Sequence, residues 1–204
     1  MNKAYQIMLI ALFPLLLLGC GPKTKITSSW VNKEQAPTFK TVLIICLDAK
    51  ETSRRLWENV FADQLSAENI KTVVSHEISA EPIPPDEDSV YRVVEAAKAD
   101  TVIITHVIDS TTSTYWHPGT IHYEPSAFYG GMYGYYNTAF RAVYSPPTST
   151  SQTIVRLESN MYDVATTRLL WAAQSATTDP KLLRTDFESV VKTLIADFKR
   201  KKLI

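Results

Sequence analysis

Three short apolar segments between residues 39 and 108 constrain the fold more than any other feature of this chain. The run Thr41-Val-Leu-Ile-Ile-Cys-Leu47 shows no polar alternation, which is typical of a parallel strand covered on both faces. Similar segments predict strands over 70–78 and 101–108. Apolar residues at helical spacing predict helices over 53–68 and about 86–99. The order β-α-β-α-β predicts parallel strands with right-handed crossovers.

The carboxyl-terminal part has a different pattern. Segments 150–164 and 168–178 alternate between apolar and polar residues and are joined by Ala165-Thr-Thr167, which predicts an antiparallel hairpin with a bulge. A capping-box pattern, Thr185-x-x-Glu188, predicts the start of a final helix. The predicted fold class is therefore α/β: a mixed sheet with a β-α-β-α-β parallel core, extended by an antiparallel β-hairpin and a C-terminal helix, in a single domain over 39–204.

The amino terminus carries an apolar segment that is too short to span a bilayer. As a helix, residues 7–18 reach about 18 Å, against a hydrocarbon core of ~30 Å. The segment ends in Leu17-Leu-Gly-Cys20, which resembles the lipobox of bacterial lipoprotein signals. The resemblance implies that residues 1–19 are a signal peptide and that Cys20 carries a diacylglycerol and an N-acyl lipid. Because Gly21 rather than aspartate follows, the enteric sorting scheme implies a periplasm-facing outer-membrane protein.

Residues 20–38 are polar and contain prolines, without an apolar period. This composition predicts a lipidated tether that would let the domain range roughly 60 Å from the membrane. Trp30 lies within it, and two interpretations are open: a plug against the domain edge or a membrane-interface anchor.

Charge and cysteine content exclude some classes of function. The chain has 21 Lys and Arg against 21 Asp and Glu, which argues against a nucleic-acid partner. With Cys20 lipidated, Cys46 is the remaining cysteine, and a lone thiol in an apolar strand is typical of packing rather than chemistry.

Three stretches resemble a group of uncharacterised bacterial lipoproteins of the domain-of-unknown-function type. They are Ser28-Ser-Trp-Val31, Arg54-Arg-Leu-Trp57 and Tyr162-Asp-Val-Ala-Thr-Thr-Arg-Leu-Leu-Trp171. The third resembles a hairpin of envelope proteins, with Thr167 where a glycine is usual. The element order is similar to that of the amino-terminal domain of the Tol translocation protein and of curli-assembly-type lipoproteins. The resemblance implies an envelope lipoprotein with an α/β domain and supplies no catalytic residues.

An irregular insertion over 115–147 holds most of the ten tyrosines and most of the six glycines. Flat amphipathic aromatic rings on a glycine-rich backbone suit adaptable recognition surfaces and membrane interfaces. Three interpretations are open: a flap over the sheet edge, a recognition loop for an envelope protein or glycan, and a membrane-inserting loop. The candidate partner-binding residues are Tyr115, Trp116, Tyr123, Phe128, Tyr129, Tyr133, Tyr135 and Tyr136.

Evidence for an enzyme is weak. His117, His122 and Glu124 are three candidate metal ligands within the insertion, but their spacing matches no recognised metal motif. The chain has no G-x-S-x-G and no phosphate-binding loop. Asp48 and Lys50 follow a predicted strand, where α/β sheets tend to bind ligands. We therefore predict a non-catalytic binding or assembly role, with no cofactor beyond the lipid. A homo-oligomer is one form of that role, and a metal-binding protein or hydrolase is the alternative.

Overall fold

The structure, a computed structural model, describes residues 23–34, 40–48, 50–119, 131–136 and 147–204. Its elements in chain order are β1 (Lys23–Val31), β2 (Thr41–Leu47), α1 (Glu51–Ser66), β3 (Lys71–Val74), α2 (Ser75–Ile78), α3 (Glu87–Ala97), β4 (Thr101–His117), β5 (Thr148–Asp163), β6 (Leu169–Thr178) and α4 (Arg184–Arg200). The predicted α/β class with a mixed sheet is confirmed. No helix among the described residues is both long enough and apolar enough to cross a membrane.

The six strands form one sheet in the order β1-β6-β5-β4-β2-β3. Strand β2 pairs in parallel with β3 and β4, as the apolar segments predicted. Strand β6 pairs antiparallel with β5 and β1. The predicted hairpin bulge is confirmed as a register shift between Met161 and Tyr162. At its turn Thr167 takes a φ of 55°, the left-handed conformation that glycine usually supplies.

Both faces of β2 are buried, which explains its uninterrupted apolar run. Val42 and Ile44 belong to a core with α1 and α4, while Leu43 and Ile45 pack with α3. Because side chains alternate along a strand, neither face of β2 has room for a polar residue. Contacts between α1 and α4 close the first core, where Trp57 meets Phe187 edge-on.

The predicted tether is wrong for residues 23–31, which form β1. Lys23 lies opposite Thr178 and Val31 opposite Trp171, so the segment is an edge strand of the sheet. Its partly buried Ile26 and Val31 pack against the core of α1 and α4. A register shift between Ile26 and Ser28 interrupts the period of two, which hides the strand in the sequence.

Three further boundaries differ from the predictions. The strand predicted over 70–78 ends at Val74, and Ser75–Ile78 is a short helix. Strand β4 continues to His117 instead of ending at 108. The final helix begins at Arg184, and Asp186 rather than Thr185 and Glu188 secures its start, because its carboxylate accepts the Leu183 backbone N–H at 2.9 Å.

Helix α3 begins with a side-chain cap that makes its stability depend on pH. The Ser89 backbone N–H donates to Asp86 Oδ1 at 2.8 Å, and this hydrogen bond lowers the pKa of Asp86 below its ordinary value of 3.8. Because the pKa of Asp86 is lower in the folded state, its ionised carboxylate stabilises the fold at pH values above the unfolded-state pKa. This contribution to stability is lost as the pH falls through the folded-state pKa. We expect Asp86→Asn to reduce the acid dependence of the free energy of unfolding between about pH 5 and pH 2. Urea unfolding at several pH values measures this, and an unchanged slope would contradict it.

Candidate functional site

The described residues fall into two compact units: those within 23–110 and 154–204, which we call the α/β unit, and those within 111–153. We call the second the hairpin unit. Within it the ends of β4 and β5 face each other through hydroxyl pairs: Thr112 Oγ1 lies 3.0 Å from Thr153 Oγ1, and Thr114 Oγ1 lies 3.1 Å from Ser151 Oγ. Higher numbers on one strand face lower numbers on the other, so the two strands run antiparallel.

Most described residues of the hairpin unit are exposed, including its aromatic ones. The exposed fraction is 66% for Trp116 on β4 and 83% for Tyr133 in the helical segment 132–136. The sequence-predicted residues Tyr115, Tyr135 and Tyr136 are exposed as well. The other three candidates, Tyr123, Phe128 and Tyr129, lie outside the described residues. A surface that exposes this much aromatic area is typical of an interaction site.

The described parts of β4 and β5 in the hairpin unit extend beyond the pairings of these strands with β2 and β6. The β2–β4 pairing ends at Leu47 opposite His106, and the β5–β6 pairing ends at Ile154 opposite Thr178. A ribbon of two strands is only marginally stable by itself.

Only one of the three candidate metal ligands lies among the described residues. His117 is the exposed last residue of β4, while His122 and Glu124 lie outside the described residues. Among the described positions no three His, Cys, Asp or Glu side chains are grouped to hold a metal ion. The loop-histidine hypothesis therefore stays untested.

Glu58 of α1 carries a buried carboxylate that accepts several hydrogen bonds. It accepts the Cys46 backbone N–H at 3.0 Å and the Ser75 hydroxyl at 2.6 Å. His76 donates its backbone N–H at 3.0 Å and contacts the carboxylate through Nδ1 at 2.7 Å. His76 lies in the segment 70–78 that the sequence predicted as a strand; instead it is buried beside Glu58 in α2. In the sequence, Glu58 is one of several charged residues between the apolar positions of α1, and this pattern did not predict its burial.

Ser75, His76 and Glu58 are the residue types of a hydrolytic triad, but their connections differ from one. In a triad the histidine bridges serine and carboxylate, so that it can take the serine proton. Here Ser75 and His76 both bind the carboxylate, and Ser75 is fully buried. Burial, followed by the charges of Glu58 and Asp48, raises the pKa of the Cys46 thiol, which keeps it protonated at neutral pH. The arrangement is that of a structural polar cluster.

A cavity of about 310 Å³ lies where the sequence placed a candidate ligand site, beyond the carboxyl end of β2 and beside the middle of β4. Asp48 and Lys50 line it at the end of β2, and His106 lines it on β4. Its volume falls within the range of small-molecule pockets, roughly 300–1,000 Å³. Most of its other lining residues are apolar, and sequence patterns could not assemble them because they come from six separate elements and the loop after β6.

Comparisons with known proteins find similarity at the level of structure alone. No protein-family profile and no curated protein matches the chain. A PelC dodecamer from Paraburkholderia phytofirmans is similar over 85% of this chain and 95% of that chain, with 15% identity and a TM-score of 0.44. Lipoprotein GNA1162 from Neisseria meningitidis is similar over 80% and 97%, with 11% identity and a TM-score of 0.40. A PDZ domain protein from Parabacteroides distasonis is similar over 95% of this chain but 40% of its own, with 11% identity and a TM-score of 0.39. Similarities this distant establish neither a family nor an activity.

Proposed function

We propose that the chain is a lipid-anchored cell-envelope protein with a non-catalytic binding or assembly role, and that the hairpin unit contacts its partner. The observation that carries this proposal is the exposed aromatic surface of the hairpin unit. Tyrosine and tryptophan contribute most of the binding energy at many interfaces because they bury large rigid areas. An envelope protein, a glycan or a second copy of the chain are the classes of partner that such a surface suits.

The anchor supports an envelope location. The lipobox ending at Cys20 implies a diacylglycerol and an N-acyl lipid there, and Gly21 favours the outer membrane with the domain facing the periplasm. Because β1 begins at Lys23, three residue steps separate the lipidated residue from the sheet. Three steps span at most about 11 Å, so the domain would sit directly at the membrane instead of ranging from a long tether.

The state of the buried polar groups supports a non-catalytic role. Ser75 and His76 are both hydrogen-bonded to the Glu58 carboxylate, and the raised pKa of Cys46 keeps its thiol protonated. A nucleophile must be accessible and needs an adjacent base or a lowered pKa; Ser75 is fully buried, and the pKa of Cys46 is raised. The alternative of a metal-binding protein or hydrolase using His117, His122 and Glu124 has no supporting observation beyond those residue types.

The proposed interface predicts the effect of removing two aromatic rings. We expect Trp116→Ser combined with Tyr133→Ser to lower partner binding roughly tenfold or more, because central aromatic residues dominate interface energies. A photo-reactive residue in place of Tyr136, in lipidated protein in intact cells, measures this as the yield of cross-linked adduct. The adduct mass separates a second copy from another envelope protein or a glycan, and the intact mass of the same sample reports whether Cys20 is lipidated.

Tyr91→Ser provides a matched control, since Tyr91 is an exposed tyrosine on α3, outside the hairpin unit. It should leave the adduct yield unchanged. The proposal is contradicted if the double variant and Tyr91→Ser give the same yield as the unaltered protein. Thermal unfolding of all three proteins should agree, because the substituted side chains are exposed.

A further inference from the structure

We infer that the cavity beyond the carboxyl end of β2, beside the middle of β4, binds an acyl chain. Its wall is built mainly from apolar side chains of α1, β5, the loop after β6 and α4. The apolar wall comprises Trp57, Val155, Leu157, Leu182, Phe187 and Val190. All these residues belong to the α/β unit.

The buried hydroxyl and carboxylate groups of the wall already have partners within the protein. Thr105 Oγ1 lies 2.9 Å from Ser159 Oγ, and Thr177 Oγ1 lies 3.0 Å from Thr24 Oγ1. Asp186 accepts two backbone N–H groups of the loop before α4, at 2.7 and 2.9 Å. The indole N–H of Trp57 is a buried donor without a hydrogen-bond partner among the described residues. A wall that is mainly apolar favours a ligand that is apolar along most of its buried length.

The end of the sheet supplies a site for a polar head group. Lys50 and His106 also line the cavity, as do Ser110, which is exposed, and Asp48, whose Oδ1 accepts the Lys50 backbone N–H at 2.8 Å. An ammonium group attracts a carboxylate or phosphate through charge-assisted hydrogen bonds. An amphiphile with one anionic end and one alkyl chain matches this distribution of cation and apolar wall.

This step rests on the proposed anchor at Cys20. If Cys20 is lipidated, the position of β1 places the lipid close to the cavity. Thr24 of β1 contacts the cavity residue Thr177, and Lys23 lies opposite Thr178. A lipid on Cys20 would therefore be attached three residues from a strand that borders the cavity. The acyl chain can come from that anchor or from a lipid of the surrounding membrane, and the two sources are experimentally separable.

Quenching of Trp57 fluorescence by 12-bromododecanoate tests the inference. The protein is the mature chain, residues 20–204, with Cys20→Ser so that no lipid is attached; circular dichroism checks its fold. Bromine quenches tryptophan on contact, and Trp57 lies in the cavity wall. We expect saturable quenching in this protein and its loss on adding Trp57→Phe, which keeps an aromatic ring against Phe61 and Phe187. Absence of saturable quenching, or equal quenching with Trp57→Phe, overturns the inference.

Two neighbouring leucines give a matched pair of variants. Leu182 and Leu183 are 55% and 56% exposed, but Leu182 lines the cavity and Leu183 does not. A carboxylate at position 182 would place a charge against the alkyl chain, so Leu182→Asp should weaken binding roughly tenfold. Leu183→Asp should bind like the parent protein. Equal weakening by both variants would contradict binding at this cavity.

The lipidated protein identifies the source of the chain. If the anchor itself fills the cavity, purified lipidated protein resists quenching while the Cys20→Ser protein does not. If both proteins are quenched, the ligand is a separate lipid; each result supports an acyl-chain site. Since the Cys20→Ser arm needs neither the anchor nor the hairpin unit, its failure is distinct from failure of the proposed function.

Discussion

Replacing Glu58 with glutamine is expected to lower the free energy of unfolding by about 2–4 kcal/mol, because buried donors lose a charged acceptor. The Glu58 side chain is 0% exposed and accepts four hydrogen bonds through its two oxygens. Glutamine replaces one oxygen with an NH2 group, so donors would face donors in a site that water does not reach. Urea unfolding of both proteins measures the difference.

Glu51→Gln is the matched control, on the same helix. Glu51 pairs with Arg55 across one helical turn, and both side chains are substantially exposed. Exposed pairs of this kind contribute little, so the expected change is within about 0.5 kcal/mol. If Glu58→Gln destabilises the protein no more than Glu51→Gln does, the carboxylate is not the organising group that its geometry implies.

The Glu58 cluster also explains why one strand was mispredicted. The branched residues after Ile70 favour a strand, and β3 follows that pattern as far as Val74. The chain then turns so that the Ser75 hydroxyl and the His76 backbone can both donate to Glu58. A hydrogen-bond acceptor 17 positions earlier in the chain ends the strand, and local propensity cannot contain that information.

The other elements were predicted correctly where a local sequence pattern determines them, and missed where they depend on distant residues. The apolar run of β2 and the stripes of α1 and α4 are local patterns, and the structure confirms these elements. Strand β1 is polar on one face and bulged, so its place depends on β6, nearly 150 positions away. The extension of β4 is built from hydroxyl residues that pair with those of β5, and neither segment has an apolar alternation to show it.

Some residues of the candidate site were likewise predictable from the sequence, and others were not. Composition alone identified Trp116 and Tyr133 as members of an unusual aromatic segment, and both are exposed. The position of Asp48 and Lys50 after a strand pointed to the end of the sheet that holds the cavity. The apolar wall was not predictable, because its residues meet only after α1, β5 and α4 pack together. Their sequence patterns are those of ordinary core positions.

Replacing Asp197 with alanine is expected to lower the free energy of unfolding by about 2–4 kcal/mol, since it leaves a buried donor without its charged acceptor. The Asp197 side chain is 0% exposed and accepts the Trp171 indole N–H at 2.9 Å. It also accepts the Ser29 hydroxyl at 3.3 Å and pairs with Arg200. One carboxylate on α4 thus joins β1 and β6, and two of the three stretches that resemble envelope lipoproteins meet there.

Arg200→Ala separates the buried hydrogen bonds from the surface ion pair. The Arg200 side chain is 66% exposed, so its removal should cost at most about 1 kcal/mol. A double-mutant cycle of Asp197→Ala and Trp171→Phe should give a coupling energy of roughly 1–3 kcal/mol, because Trp171→Phe removes the same hydrogen bond from the other side. Additive effects in that cycle would show that the indole contact contributes nothing specific.

We expect Asp197 to hold the strand next to the proposed anchor, in addition to stabilising the fold. If Cys20 holds the lipid, any pull between membrane and domain passes through β1, which Ser29 ties to Asp197. Loss of that tie should release β1 before the rest of the sheet. Hydrogen exchange of Asp197→Ala should therefore show faster exchange of the β1 amides than of the β2 amides, relative to the unaltered protein. Equal acceleration of both strands would mean that Asp197 stabilises the whole fold and has no special hold on the strand next to the anchor.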